Sequence, residues 1–224
     1  MATLREPVRA GAALLALLVV LGLYALLQSP YFAVTEVQVV GVERLDPSAL
    51  AEITQVRPGD NLLEIDMQAV ARRVAAHPRV RLAEVNRLLP GTLVIRVAEH
   101  VPVAVVMGSD GAAGLTRDGQ SVPLLPGEQD RLPVLGDVPP GLLPAALQAS
   151  AELPPNMRVG IVSITFEPDT GIELRTRSGI RVFLGGAEEM DRKVAIAVQL
   201  LRNGGERYRV VDLRYPRSPV VRSQ

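Results

Sequence analysis

The sequence contains no cysteine and no tryptophan, and only 3% of its residues are aromatic. Without cysteine, neither a disulfide framework nor thiolate chemistry is available. The scarcity of aromatic side chains argues against stacking platforms for bases or sugars. Lys193 is the only lysine beside many arginines, and the formal net charge is zero. A neutral chain lacks the basic footprint that is expected of a nucleic-acid-binding protein.

Histidine is also scarce, and no active-site motif accompanies it. His77 and His100 are the only histidines, and the sequence has no G-x-S-x-G, H-E-x-x-H or P-loop pattern. His77 lies at the end of an expected helix, where a cation meets the negative end of the helix dipole. Two isolated histidines do not make a zinc site without further ligands. We therefore expect no catalytic residue, no metal site, no cofactor and no small-molecule substrate.

A long uncharged run follows the first residues of the chain. Ala10–Leu27 contains 18 residues without a charge, which as a helix would span about 27 Å, close to the roughly 30 Å hydrocarbon core of a bilayer. A buried core helix and a cleaved signal peptide are the alternatives. The run exceeds the ~7–15 apolar residues of a signal peptide and lacks a small-residue cleavage site. We predict an uncleaved signal anchor over residues 10–28, preceded by a short tail over residues 1–9.

The charges that flank this run predict its orientation. Arg5 and Arg9 precede it, whereas the first positive residue after it is Arg44. Positive residues favour the cytoplasmic side of a membrane span. The pattern therefore predicts a single-pass protein with a cytoplasmic N-terminus and a large exported body.

Residues 32–100 have the pattern of a small α+β domain. "FAVTEVQVVG" alternates like a strand, and two helices follow, each beginning at an aspartate that is suited to cap it, Asp46 and Asp66. "VRLAEVNRLL" and "TLVIRVAEH" are then two strands joined at "LPG". The order β-α-α-β-β predicts a three-stranded sheet with both helices on one face.

Residues 101–216 have a different sequence pattern, which predicts short strands separated by turn dipeptides. A brief helix is expected near residues 144–153, followed by the three-strand meander "VSITFEPDTGIELRTRSGIRVFLGG". An amphipathic helix over residues 187–202 and a closing strand complete the pattern. We predict a mostly antiparallel β domain with a C-terminal helix, and a tail outside it over residues 217–224.

The densest basic cluster lies on or beside the second helix of the first domain. A solvated helix face is the ordinary interpretation of such a cluster. The alternative is a recruitment face for an acidic partner or for anionic headgroups, since the anchor keeps this domain near the membrane. Its members are Arg72, Arg73, Arg79 and Arg81.

The closing strand lies in "YRVVDLRYPRSPVV", where apolar and charged residues alternate as in a half-buried strand. At a sheet edge its free backbone groups would invite a second chain to pair. Two interpretations stay open. The strand closes its own sheet and the prolines protect the edge, or a partner adds a strand to it. In the second case Pro216 and Pro219 limit the pairing window to residues 210–215.

Four runs of the sequence together resemble the FtsQ/DivIB family of bacterial division proteins. They are "SPYFAVTEVQVVGVERL", "RPGDNLLEID", "HPRVRLAEVNRLLPGTLVIRVAEHVPVAV" and "GGERYRVVDLRYPRSPVV". The resemblance covers the anchor and nearly all of the exported part. The first domain is similar to the POTRA module of that family, and "PGTLVIRVAE" lies in its most specific run.

The resemblance implies a non-enzymatic scaffold of the divisome, in the inner membrane and enriched at the septum. Such proteins bind FtsB and FtsL, and through them regulate septal peptidoglycan synthesis by FtsW and FtsI. FtsB would add a strand to the terminal edge of the β domain. A POTRA-bearing component of a translocation or envelope assembly system is the alternative, and an exported enzyme a more remote one. The positions that would pair with FtsB are Val210, Val211, Asp212, Leu213, Arg214 and Tyr215.

Overall fold

A computed structural model describes residues 5–109, 111–204 and 207–223, with side chains described from residue 11 onward. The chain divides into two compact units, Met1–Glu99 and His100–Gln224. The first unit carries the N-terminal helix and a small α+β domain, and the second is built on one large sheet. Each unit is described by itself below.

The N-terminal helix α1 runs from Arg5 to Leu27, and its apolar side chains are exposed from residue 11 onward. Within the described part of the chain, this is the one helix that is long and apolar enough to cross a membrane, with a candidate span over Gly11–Phe32. The predicted N-terminal apolar helix is therefore confirmed. Its length and composition fit a single-pass membrane anchor.

The remainder of the first unit has the predicted order β-α-α-β-β. Its three strands lie in the order β1-β3-β2, with β1 parallel and β2 antiparallel to the central β3. One face of this sheet packs on the two helices around a core that includes Leu50, Val70 and Ile95. The elements are β1 (Glu36–Val40), α2 (Pro47–Ile53), α3 (Met67–Ala75), β2 (Val80–Leu88) and β3 (Thr92–Glu99).

Both predicted helix caps are present in this domain. The Asp46 carboxylate accepts a hydrogen bond from the Ser48 backbone N–H at 2.9 Å, and α2 begins at the next residue after Asp46. Asp66 likewise accepts from two N–H groups of the first turn of α3. Each carboxylate satisfies donors that the helix itself leaves unpaired, which is why the helices begin at these points.

The second unit contains nine strands and three α-helices among its described residues, besides a short 3-10 helix over Gln129–Arg131. The strands are β4 (Pro102–Gly108), β5 (Gly111–Thr116), β6 (Ser121–Val122), β7 (Val134–Leu135), β8 (Ile161–Glu167), β9 (Gly171–Thr176), β10 (Arg181–Gly185), β11 (Tyr208–Asp212) and β12 (Val220–Ser223). The helices are α4 (Leu143–Glu152), α5 (Pro155–Arg158) and α6 (Met190–Gly204).

These strands form one sheet in the order β12-β11-β10-β9-β8-β7-β4-β5-β6. Three neighbouring pairs are parallel, namely β10 with β11, β4 with β7 and β7 with β8, and the other pairs are antiparallel. Helices α4 and α6 pack on one face, where they share a core with Ile164, Leu174, Val182 and Val211. The predicted α+β class, with a mostly antiparallel second domain, is confirmed.

One prediction about this unit is wrong. Residues 217–224 were expected to form a tail outside the sheet, but β12 lies in this segment and pairs antiparallel with β11. The prolines do not end the sheet. Pro216 lies in a turn that the Ser218 N–H closes on the Tyr215 carbonyl at 2.9 Å, and Pro219 directly precedes β12. Proline is well suited to both positions, since neither requires its missing donor in the interior of a ladder.

Candidate partner-binding edge

Strand β11 is not the open edge that the sequence suggested. It lies between β10, where Val182 is opposite Val211, and β12, where Val221 is opposite Val211. Both sides of β11 are therefore occupied by the chain itself. The expectation of a terminal edge at β11 is wrong because the chain reverses after Tyr215 and adds one more strand, and β12 is the outermost strand of the sheet.

The structure divides the residues that were predicted to bind a partner. Val211 and Leu213 are fully buried in the core, whereas Tyr215 is 77% exposed beyond the end of β11. Val210 and Asp212 are half-buried, and Arg214 is exposed. The expected alternation therefore stops at Leu213. Pockets beside Val211 and Leu213 are not available to a partner, because these side chains pack against the helices.

The turn between β11 and β12 is held by Arg214. Its guanidinium forms a bidentate pair with Asp212, with Nε 3.0 Å from Oδ1 and Nη2 2.7 Å from Oδ2. Its Nη1 also donates to the Asp169 carbonyl at 3.2 Å. The hydrogen bonds from Arg214 hold the pKa of Asp212 below its usual range, so this carboxylate is charged at neutral pH. These contacts fix the point from which the chain turns back to form β12.

The outer side of β12 offers a strand-addition site. All four of its residues are exposed, and Val220 and Val221 keep 51% and 41% of their surface accessible. No described strand pairs with its outer side, so the N–H and C=O groups on that side have no sheet partner. Such a row of backbone groups pairs readily with an added strand, and adjacent apolar side chains provide contact area.

The opposite edge of the same sheet is unsuited to this role. Strand β6 contains only Ser121 and Val122. Pro123 follows it directly and has no N–H to donate to an added strand. Among the described strands of the second unit, β12 is therefore the edge that is able to accept a partner.

Fewer arginines of the basic cluster in the first unit are exposed than predicted. Arg79 is only 1% exposed, so its assignment to an exposed recruitment face is wrong. It lies in the tight turn between α3 and β2, where its N–H donates to His77 Nδ1 at 3.2 Å. Its charge is one of the influences that lower the pKa of Glu99. Arg72 and Arg81 are exposed and Arg73 is half-buried.

Two charged residues of the second unit are buried, which was not predicted from the sequence. Glu173 on β9 is 1% exposed and accepts two hydrogen bonds from Arg181, at 2.7 and 2.8 Å. Lys193 on α6 is 2% exposed, and its Nζ donates to the Gly186 carbonyl at 3.0 Å. A glutamate inside the alternating run "GIELRT" was the available signal for the first. The available signal for Lys193 was that it is the only lysine of the chain.

Both folded domains match known families. Residues 32–100 match the FtsQ-type POTRA domain, and residues 104–214 match the C-terminal domain of cell division protein FtsQ/DivIB. The chain belongs to the FtsQ/DivIB family. The resemblance noted from the sequence is therefore confirmed, and the domain with the order β-α-α-β-β is its POTRA domain.

FtsQ proteins of several bacteria are similar along most of the chain. The cell division protein FtsQ of Mycobacterium tuberculosis (strain ATCC 25618 / H37Rv) is 32% identical over 228 residues, which cover 97% of this chain and 71% of the relative. FtsQ of Mycolicibacterium smegmatis is 33% identical, over 87% of this chain and 58% of the relative. FtsQ of Rhodothermus marinus is 30% identical, over 85% and 77%.

The match to the FtsQ/DivIB C-terminal domain ends at Arg214, so it includes β11 and stops before β12. The outer strand of the sheet is thus supplied by a segment beyond the matched residues. The buried strand β11 therefore belongs to the matched domain, whereas the exposed strand β12 lies outside it.

Proposed function

We propose that the protein is a non-enzymatic scaffold of the divisome that binds FtsB and FtsL. FtsB adds a strand to the outer side of β12. Through these partners the protein regulates septal peptidoglycan synthesis by FtsW and FtsI. Membership of the FtsQ/DivIB family supports the role in division. The observation that carries the binding site is the exposed outer edge of β12.

A partner strand is expected to add to β12 rather than to replace it. The turn that joins β11 to β12 spans only residues 213–219, so β12 is tethered close to its pairing partner. A short tether gives a segment an effective concentration in the millimolar range for its own site, which a separate chain at cellular concentration does not match. The outer side of β12 has no such internal competitor.

In this proposal, most of the residues first predicted to pair with FtsB support β12 instead of contacting the partner strand directly. Val211 and Leu213 anchor β11 in the core, and the Arg214–Asp212 pair sets the turn. Tyr215, at 77% exposure, is the member of that set with the largest free side chain. We expect Tyr215→Ala to weaken FtsB binding several-fold by removing contact area, without unfolding the domain.

Single prolines in β12 test the strand-addition site. Along a strand, successive N–H groups point to opposite sides, so Val220→Pro and Val221→Pro remove one inward and one outward donor. One variant detaches β12 from β11, and the other removes a donor from the outer edge. We expect both to weaken binding of the exported region of FtsB by at least about tenfold in a titration with the full-length protein.

Threonine at the same positions is the matched control. Val220→Thr and Val221→Thr keep the β-branched shape and the backbone N–H, and we expect affinities within about threefold of the wild type. Folding of each variant is checked by circular dichroism and thermal melting. Wild-type affinity in both folded proline variants would contradict strand addition at β12.

We also propose that the POTRA domain recruits the protein through its exposed arginines. Arg72 and Arg81 support this part, because their side chains are accessible whereas Arg79 is buried. Arg72→Glu with Arg81→Glu should impair septal localisation of a fluorescent fusion while FtsB binding in vitro is retained. Normal septal localisation of this double variant would contradict the assignment.

The proposed topology places the N-terminus in the cytoplasm and both folded domains outside the inner membrane. Arg5 and Arg9 before the apolar helix support this orientation. Protease added to spheroplasts should digest the POTRA and β domains, and a cytoplasmic marker should stay intact. Protection of the two domains would contradict the topology.

A further inference from the structure

Two exposed leucines lie at the end of the hairpin that joins β2 and β3. Leu88 is the last residue of β2 and Leu89 follows it, and each keeps 57% of its surface accessible. Pro90, the next residue, is exposed as well. Apart from proline and glycine, turn positions favour asparagine, aspartate and serine, so paired leucines are unusual there. Residues 88–90 form the hairpin tip, a contiguous apolar surface that the domain itself leaves uncovered.

The sheet topology places the hairpin tip at the end of the POTRA domain where the anchor enters it. The candidate span ends at Phe32 and β1 begins at Glu36, so only residues 33–35 lie between them. Strand β3 is parallel to β1, and its first residue, Thr92, lies opposite Glu36. The turn before Thr92 therefore extends from the sheet toward the anchor. At roughly 3.3 Å per residue, three residues raise the sheet by at most about 10 Å above the end of the span.

Hydrogen bonds hold the segment that joins the anchor to the sheet. The Thr35 N–H donates to the Gly91 carbonyl at 2.8 Å, directly beside the hairpin tip. A Cβ at Gly91 would stand 2.5 Å from the carbonyl oxygen of Ala33, so the hairpin packs closely on this segment. Asn61 Nδ2 donates to the Leu27 carbonyl at 2.9 Å, which ties the last residue of α1 to the loop between α2 and α3.

Arg87 ties the hairpin to the same loop. It directly precedes the hairpin tip, and its Nε donates to the Leu62 carbonyl at 2.8 Å. Its Nη2 donates to the Ile65 carbonyl at 2.6 Å. The hairpin and the end of the anchor are thus bonded to one loop. The hairpin tip therefore has a fixed position beside the end of the anchor.

We infer that the hairpin tip inserts into the outer leaflet of the membrane beside the anchor and fixes the POTRA domain on the bilayer surface. Leucine side chains gain transfer free energy there that they do not gain within the domain. Tyr31, at the end of the candidate span, is 65% exposed, and aromatic residues are favoured at the membrane–water interface.

Continuity with the anchor favours lipid over a protein as the occupant. The hairpin tip is bonded to the residues that follow the span, so lipid is already adjacent to it when the anchor is in the membrane. The hairpin tip itself carries no charge, so the contact does not require anionic lipid. The inference rests on the proposed topology, because the hairpin tip meets the outer leaflet only when the anchor spans the membrane and the domain is exported.

Spin labelling of the hairpin tip tests the inference. The chain contains no cysteine, so a single introduced cysteine is labelled without background. Full-length protein with Leu89→Cys is placed in phosphatidylcholine nanodiscs, and collisions of the nitroxide with oxygen and with a water-soluble nickel chelate are compared. We expect the ratio of oxygen to nickel collisions to be at least about threefold higher than for a label in water, because apolar oxygen concentrates in hydrocarbon.

Leu82→Cys is the matched control. Leu82 is a leucine of the same strand with 51% of its surface exposed, and it lies roughly 20 Å from the hairpin tip along β2. Its label should report water in the same nanodiscs. Leu88→Asp should lower the ratio at a label on residue 89 to near the control value, because a carboxylate opposes entry into the bilayer. Leu82→Asp adds the same charge and should leave that ratio unchanged. Thermal melting confirms that each labelled variant is folded.

The outcomes separate this inference from the proposed function. A ratio at residue 89 no higher than at residue 82 would overturn the inference. Protection that arises only after the exported region of FtsB is added would assign the hairpin tip to a protein contact, and would overturn it as well. The measurement uses the protein alone, and nanodiscs expose both membrane faces, so it depends neither on FtsB nor on export. Insertion in nanodiscs combined with protection of the domains in spheroplasts would overturn the outer leaflet and the topology together.

Discussion

Val211 and Val221 lie opposite each other across β11 and β12, but Val211 is fully buried whereas Val221 keeps 41% of its surface exposed. Strand β11 thus contributes to the core, and β12 is attached mainly through backbone hydrogen bonds. Burial of apolar surface dominates the stability of a domain. Attachment of the outer strand and stability of the β domain are therefore separable by mutation.

Deletion of residues 217–224 should remove FtsB binding and leave the protein folded. The deletion takes away β12, whose four residues are all exposed, and retains the buried Val211 and Leu213. We expect the melting temperature to fall by no more than about 4 °C, which corresponds to about 1–2 kcal/mol for domains of this size. Calorimetry measures the melting temperature, and titration with FtsB measures the loss of binding.

A truncation from Val211 onward is the informative comparison. It removes two fully buried side chains from the core, so the β domain should unfold rather than only lose a binding edge.

Retained or increased FtsB affinity after deletion of residues 217–224 would show that the partner takes the place of β12 on β11. That result would restore the pairing window first predicted at residues 210–215.

Glu173→Gln should destabilise the β domain. The carboxylate is 1% exposed and holds Arg181 through two hydrogen bonds, so the amide leaves a charged partner poorly satisfied. Because Arg181 is itself 44% exposed and partly solvated, we expect a loss of about 1–3 kcal/mol in the free energy of unfolding. Urea denaturation measures it. Glu167→Gln, at an exposed position on β8, should change stability by less than about 0.5 kcal/mol.

Local patterns were sufficient to predict the POTRA domain. Alternation marks its strands, and Asp46 and Asp66 mark its helix starts, since a cap acts within three residues of itself. The four-residue strand β12 was missed because its pairing with β11 depends on a reversal of the chain. Hydrophobic periodicity within a short segment does not predict such a reversal. Arg79 was misplaced for a similar reason. Whether a charged residue is buried depends on what packs over it, and sequence spacing does not contain that information.

Lys193 should resist amine-reactive reagents in the native protein. Its Nζ is buried and donates to the Gly186 carbonyl, and burial lowers the pKa of the ammonium group. We expect modification at Lys193 to be at least about 100-fold slower than at a free lysine, because it requires opening of the domain. Mass spectrometry of the labelled peptide follows the reaction.

Arg192→Lys supplies the matched control for this labelling. It places a lysine at the neighbouring exposed position of α6, so both amines are read in one peptide. Lys193 should reach the rate of the control amine only in denaturant. Equal rates in the native protein would contradict the burial of Lys193.

Glu99 should make the loop before α2 sensitive to acid. Its Oε1 accepts hydrogen bonds from the N–H groups of Glu43, Arg44 and Leu45 at 2.8–3.1 Å. Burial acts to raise the pKa of Glu99, but the three backbone donors, with a contribution from Arg79, bring it below its ordinary value. A lowered pKa in the folded state means that the charged form stabilises the fold. This contribution is complete above the unfolded pKa of about 4.3 and is lost as the pH falls through the folded pKa.

Hydrogen exchange at the three donor amides measures this contribution directly. After correction for intrinsic rates, protection at residues 43–45 should be higher near pH 6 than near pH 3.5, where protonation of Glu99 progresses. Glu99→Gln should lower the protection near pH 6 by about 1–2 kcal/mol and make it less dependent on pH, because an amide oxygen is a weaker, uncharged acceptor. Glu43→Gln, an exposed change in the same loop, should behave like the wild type. A pH dependence that persists unchanged in Glu99→Gln would assign the acid sensitivity to another carboxylate.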